Sequence, residues 1–127
     1  DGFYEWIGAA GAKRPHLLRP RVPGPIAFAG LWDHWLGADG SEIETMAILT
    51  VPANAVAARV HDRMPAIVLP EHYETWLDIR SGRADEATLL LRPAPDDLLE
   101  VVEVSRKLNN PRNEGPDVQE IVSGSLL

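Results

Sequence analysis

His61, Asp62 and Arg63 occupy three consecutive positions, closed by Met64 and Pro65 and followed at once by the apolar segment 66–69. An imidazole takes up and releases protons near neutral pH, and this one stands beside both a carboxylate and a guanidinium. The planar fork of Arg63 suits phosphate or carboxylate. An architectural reading stands next to the chemical one. In it Asp62 caps the turn, His61 bonds within the fold, and Arg63 pairs with Asp62 or Glu74 in a surface ion pair of small worth.

Glu5 is the second candidate. It lies between Tyr4 and Trp6 in "DGFYEW" and shares its side of an alternating strand with Phe3 and Ile7. Turned inward, a carboxylate away from water favours its protonated form and becomes a usable acid or base; on an edge strand it simply sits in water. Thr50 ends an extended segment where Pro52 and Asn54 turn the chain, so its hydroxyl can bond phosphate or, more simply, the local backbone. The segment "VSRKLNNPRNEG" mixes Arg106, Lys107 and Arg112 with Asn109, Asn110 and Asn113. Such a set can contact phosphates, and it is equally what a solvated loop contains. His16 lies beside a proline, His34 at the end of an aromatic strand and His72 in the first turn of a helix. None has metal-ligand spacing to another, so no metal site is expected. No glycine-rich phosphate loop, dinucleotide fingerprint or hydrolase signature is present, and no cofactor is expected.

The elements that must position these residues follow from periodicity. Residues 2–7 alternate as a strand, with glycines at 8 and 11 for a turn. "KRPHLLRP" reads as a second strand, held toward an edge by its prolines. "PIAFAGLWDHW" reads as a third, joined through the hairpin loop "GADGS" to a returning strand at 42–50. Asn54 is a plausible N-cap for a short helix at 55–60, which places His61 at its end. Pro65 bars continuation, and "AIVL" reads as a buried strand. "PEHYETWLDIR" carries the strongest helical pattern, "ADEATLLLR" gives a second short helix, and "LLEVVEV" a further strand. From Arg106 onward the chain reads as loop. The resulting class is α+β with a largely antiparallel, barrel-like sheet and short flanking helices.

Length and composition bound the remaining choices. The 127 residues, 45% hydrophobic, suffice for one domain with a core. The absence of cysteine excludes disulfides, zinc–cysteine sites and a thiol nucleophile within these residues. A net charge of −7 counts mildly against strong nonspecific nucleic-acid binding, and any such site must be a local patch. No run reaches the roughly 18 to 20 apolar residues of a membrane span, so a soluble protein without a membrane partner is expected. The chain opens on Asp1 without an initiator methionine or leader-like stretch, which gives the expectation of a fragment or processed product.

Taken in order, "DGFYEW", "AGLWD", "AILTVPAN", "HDRMP" and "VSRKLNNPRNEG" resemble the SRAP family, the SOS response-associated peptidases, over the whole chain. The resemblance implies the C-terminal part of one SRAP domain, 1–127. In the family an N-terminal cysteine attacks the ring-opened aldehyde of an abasic site in single-stranded DNA and forms a thiazolidine crosslink. The resemblance implies that Glu5 and His61 are the catalytic acid and base, that Thr50, Arg63, Arg106 and Asn113 bind the DNA, and that a peptidase activity frees the cysteine. It further implies a cytoplasmic protein that joins the nucleoid when acting on DNA. The cysteine and the family's Asn-Ala-Arg-x-Glu segment are missing from these residues. This chain alone is therefore expected to be inactive, and to associate with itself or with an N-terminal segment. Two competing expectations are a cysteine peptidase acting on proteins and a noncatalytic module stacking single-stranded or modified DNA on Trp6 or Trp32.

Overall fold

A computed structural model describes residues 1–80 and 84–126, with 123–126 described by backbone only. The strands are β1 (Phe3–Ile7), β2 (Arg14–Pro20), β3 (Ala27–Phe28), β4 (Gly30–Leu36), β5 (Glu42–Ile48), β6 (Thr50–Pro52), β7 (Arg63–Pro65) and β8 (Ile67–Val68). Two short helices, α1 (Tyr73–Leu77) and α2 (Ala84–Thr88), precede β9 (Leu99–Val104) and β10 (Ile121–Leu126). Every strand pairing among the described residues is antiparallel.

The main sheet runs β1-β2-β9-β10, beside the two-stranded pairs β3-β8, β4-β5 and β6-β7. Alternation gives this sheet two working faces. Phe3, Leu18 and Val101 stand in one cross-strand row and join the larger core with Val51, Met64, Ala66 and Leu99. Leu17, Val102 and Val104 point the other way, where Tyr4 and Leu108 pack on them. The turn between β1 and β2 needs Gly8, whose φ of 113° lies where a side chain is strained.

Several expectations change. The strand at 14–20 is interior, between β1 and β9, not at an edge. Its prolines fall at the second and last positions, where the missing donors cost the ladder least. The sheet is not barrel-like, since no closed barrel forms among the described residues. The third strand divides at Ala29, a buried residue whose N–H bonds Ala66 and whose carbonyl accepts from Leu49. The helix expected at 55–60 is a 3-10 turn, Ala57–Arg59, and "PEHYETWLDIR" gives a 3-10 turn, Pro70–His72, followed by α1. The C-terminal stretch is more ordered than a loop, with 3-10 turns Arg106–Asn109 and Pro116–Gln119 before β10.

The β4-β5 hairpin projects its apolar residues outward: Trp32 is 76% exposed and Met46, its cross-strand partner, 74%.

Candidate active site

The turn carrying His61 is built from β6, β7 and the 3-10 turn between them. Val51 and Met64 are cross-strand partners, both buried, and they fix β6 and β7 to the core. Asn54 is buried with them. Its Oδ1 accepts from Ala57 N at 2.9 Å, at the first residue of the 3-10 turn, whose N-cap is Val56 and not Asn54, while Nδ2 donates to Ala94 O at 3.0 Å and Pro95 O at 3.3 Å. His61 N bonds Ala57 O at 3.0 Å and Ala53 N bonds Asp62 O at 2.9 Å, so the backbone on both sides of the imidazole is held.

Arg63 N donates to His61 Nδ1 at 3.0 Å. In the neutral ring Nδ1 is therefore the acceptor, and the proton sits on Nε2. Asp62 Oδ1 at 3.3 Å and Arg63 O at 3.2 Å wait on the same nitrogen for the protonated ring, in which Nδ1 becomes a donor. Either charge state thus finds a partner, which is what a group exchanging protons with a substrate requires. The side chain is 44% exposed and reachable.

Arg63 and Thr50 belong to the same group. The guanidinium donates through Nη2 to Thr50 O at 2.5 Å and to Oγ1 at 3.0 Å, and through Nε to Oγ1 at 3.3 Å. Among the described residues Arg63 makes no ion pair with Glu74, and the carboxylate paired in this turn is Asp62, with His61. The hydroxyl of Thr50 accepts across the β6-β7 pair instead of bonding its local backbone, and it orients a cation whose Nη1 donors can meet an anion.

Glu5 lies on the core-facing side of the edge strand β1, on the side of Phe3, and is half-buried. It makes no hydrogen bond or ion pair among the described residues. Phe3, two residues earlier on that face, packs on the cluster containing Val51 and Met64, the immediate neighbours of Thr50 and Arg63. One core thereby supports Glu5 and the His61 turn.

Arg106 and Asn113 sit elsewhere. Leu108 packs with Tyr4 and Leu17 on the face opposite Glu5. Trp6 Nε1 donates to Asn109 Oδ1 at 2.8 Å and Asn109 Nδ2 to Lys13 O at 2.9 Å, pinning the tail to β1 and to the turn before β2. Asn113 Nδ2 donates to Lys107 O at 2.8 Å. The Lys107 ammonium is raised above its ordinary value by its hydrogen bond to Asp117, by that carboxylate's charge and then by Glu120. No bond among the described residues joins Arg106 or Asn113 to Glu5, Thr50, His61 or Arg63.

Sequence reasoning passed over His16. It is fully buried, directly opposite Glu5 on β1 and Glu103 on β9. Its Nδ1 lies 3.0 Å from Arg14 O, and its buried Nε2 has no partner among the described residues. A buried nitrogen left so costs about 1–3 kcal/mol. The signal was available, since strand alternation sets His16 on the side of Leu18. Among the described residues no three His, Cys, Asp or Glu side chains gather as a metal site would need. No described helix is long and apolar enough to cross a membrane.

The model of the SOS response associated peptidase (SRAP) family matches residues 1–111. The chain belongs to the SRAP family. Among its relatives is the abasic site processing protein YoqW of Bacillus subtilis, 33% identical over 121 residues, covering 94% of this chain and 54% of the relative. The abasic site processing protein HMCES of Gallus gallus is 32% identical over 137 residues, covering 92% of this chain and 40% of that protein. A crystal structure of a Bacteroides thetaiotaomicron protein superposes with a TM-score of 0.79 at 28% identity, covering 95% of this chain and 54% of the other. This SRAP chain therefore spans about half the length of the relatives it matches. Its α+β, mostly antiparallel fold is shared with that solved structure.

Proposed function

We propose that this chain is part of a protein that crosslinks covalently to abasic sites in single-stranded DNA, with Glu5 and His61 moving the protons. The observation that carries the reading is the His61 turn, where a proton-exchanging imidazole and a Thr50-oriented guanidinium are fixed side by side. Both relatives named above are abasic site processing proteins, which supports DNA as the partner.

The thiol and amine come from an N-terminal cysteine outside these 127 residues. Its amine adds to the C1 aldehyde of the opened sugar, and Glu5 gives a proton to the hydroxyl that leaves as water. The sulfur then adds to the iminium carbon, closing the thiazolidine ring, and the proton lost from sulfur returns Glu5 to its acid form. His61, through Nε2–H, hydrogen-bonds the opened sugar's hydroxyl and assists the reverse reaction. Arg63 holds a flanking phosphate, with Thr50 setting its direction. Arg106 and Asn113, on the stretch whose Leu108 packs on the face opposite Glu5, would contact the strand beyond the lesion. Peptidase action on the protein's own N-terminus would expose the cysteine.

The test is full-length protein mixed with single-stranded DNA bearing one abasic site and run on a denaturing gel. A shifted band, slowed by Glu5→Gln and by His61→Ala, is expected. Absence of the band from folded, N-terminally processed protein sinks the reading, and efficient cleavage of unrelated peptides would put a protein-directed peptidase in its place.

A further inference from the structure

We propose that His16 Nε2 and the Glu5 carboxyl share one proton, making His16 the positioning residue for the acid; its use in catalysis rests on the function proposed above. His16 is fully buried and its Nε2 is without a partner among the described residues. Its other nitrogen faces Arg14 O, which can only accept, so Nδ1 carries a proton in every charge state of the ring. Nε2 is then a lone pair seeking a donor or, in the imidazolium, a donor seeking an acceptor.

The groups facing it from both neighbouring strands are carboxyls. Glu5 on β1 and Glu103 on β9 are its register partners. Directly opposed residues have Cβ atoms about 4.5–5.5 Å apart, within the reach of a glutamate side chain. Glu103 is engaged by Arg14 Nη1 at 3.0 Å. Glu5 has no such partner, and it is the one left for Nε2.

A carboxylate opposite a lone pair gives neither group a bond, so the pair needs one proton between them. Two arrangements satisfy it: the Glu5 acid O–H donates to Nε2, or Nε2–H of the imidazolium donates to the Glu5 carboxylate. They interconvert by moving a single proton, with no change in the total. His16 thus keeps a proton beside Glu5 and fixes the direction of its carboxyl. When Glu5 yields its proton to the departing water, the thiol proton restores the count.

Ring-nitrogen NMR on 15N-labelled full-length protein tests this directly. Long-range proton–nitrogen correlations are expected to show His16 Nδ1 protonated and Nε2 displaced from the position of a free lone-pair nitrogen. Glu5→Ala is expected to move Nε2 to that free position, while Glu103→Gln leaves it in place. A Nε2 signal unchanged by Glu5→Ala, as for a nitrogen bonded only to a trapped water, overturns the proposal. So does a signal that follows Glu103→Gln instead. In crosslinking assays, His16→Gln, which still offers a hydrogen bond, is expected to keep more activity than His16→Phe; equal losses in folded variants count against a proton-sharing role. Should the wild-type protein form no adduct, the proposed function falls while the NMR result still decides the shared proton.

Discussion

One guanidinium ties Arg63 to Thr50 by three hydrogen bonds, two of them to the hydroxyl. Threonine is thereby an orienting group for a cation. Thr50→Val removes the hydroxyl and leaves the backbone carbonyl, so crosslinking at limiting DNA should slow by about 2- to 10-fold, the value of one or two modest hydrogen bonds. Arg63→Lys should slow it further because an ammonium cannot hold Thr50 and a phosphate in fixed directions at once. Rate constants from a denaturing-gel time course decide both.

Loss of the His61 imidazole should cost about 100- to 10,000-fold in forming or reversing the adduct, the usual range for a positioned proton-transfer group. The decisive measurement is rescue. Free imidazole added to His61→Gly should restore part of the rate, whereas a purely architectural histidine would show none.

Asn54 joins the His61 turn to the segment at 94–95 through both ends of its amide. Asn54→Ala leaves buried groups on both sides unpaired and should lower stability by about 1–3 kcal/mol. Urea denaturation reads this as a lower midpoint. Asn54→Asp should be worse, because it removes the donors and places a carboxylate against two carbonyl oxygens.

Cutting the bond between Trp6 and Asn109 should loosen the tail without unfolding the sheet. In Asn109→Ala, hydrogen exchange at residues 106–120 should quicken while β2 and β9 keep their protection. Equal acceleration in β2 and β9 would mean that the tail is part of the cooperative core.

The β4-β5 turn supplies a pH prediction. The Ser41 hydroxyl, and after it the Ser41 backbone N–H, hold the Asp39 carboxyl below its ordinary value. A carboxylate whose pKa is lowered by folding stabilises the fold above its unfolded value, roughly 3.9, and that contribution is lost as pH falls through the lower folded value. Ser41→Ala should bring the Asp39 titration, followed by carboxyl NMR, up toward the ordinary value.

Much of the site was legible in the residues themselves. Strand alternation put Glu5 on the side of Phe3, and Pro52 and Asn54 announced the turn that exposes His61. In sequence the Thr50 hydroxyl reads as a local turn bond, whereas its partner is Arg63, because the pairing of β6 with β7 is a tertiary event. The same limit hid His16. Its prolines suggested an edge, and only the return of β9 shows that the strand is interior and that a histidine beside a proline faces two glutamates. The helical segments are each shorter than their patterns suggest, a 3-10 turn at 57–59 and a 3-10 turn with one short α-helix over 70–77.

The pairing of β2 with β9 has a consequence for how the molecule comes into being. Arg19 and Glu100, bonded across it, are 81 residues apart in sequence. Contacts so distant along the chain close slowly, and no local hairpin can stand in for them. β1 and β2 are synthesised well before β9, so the side of β2 that β9 covers stays open until β9 is made. The environment that isolates Nε2 is therefore complete only once β9 has paired with β2.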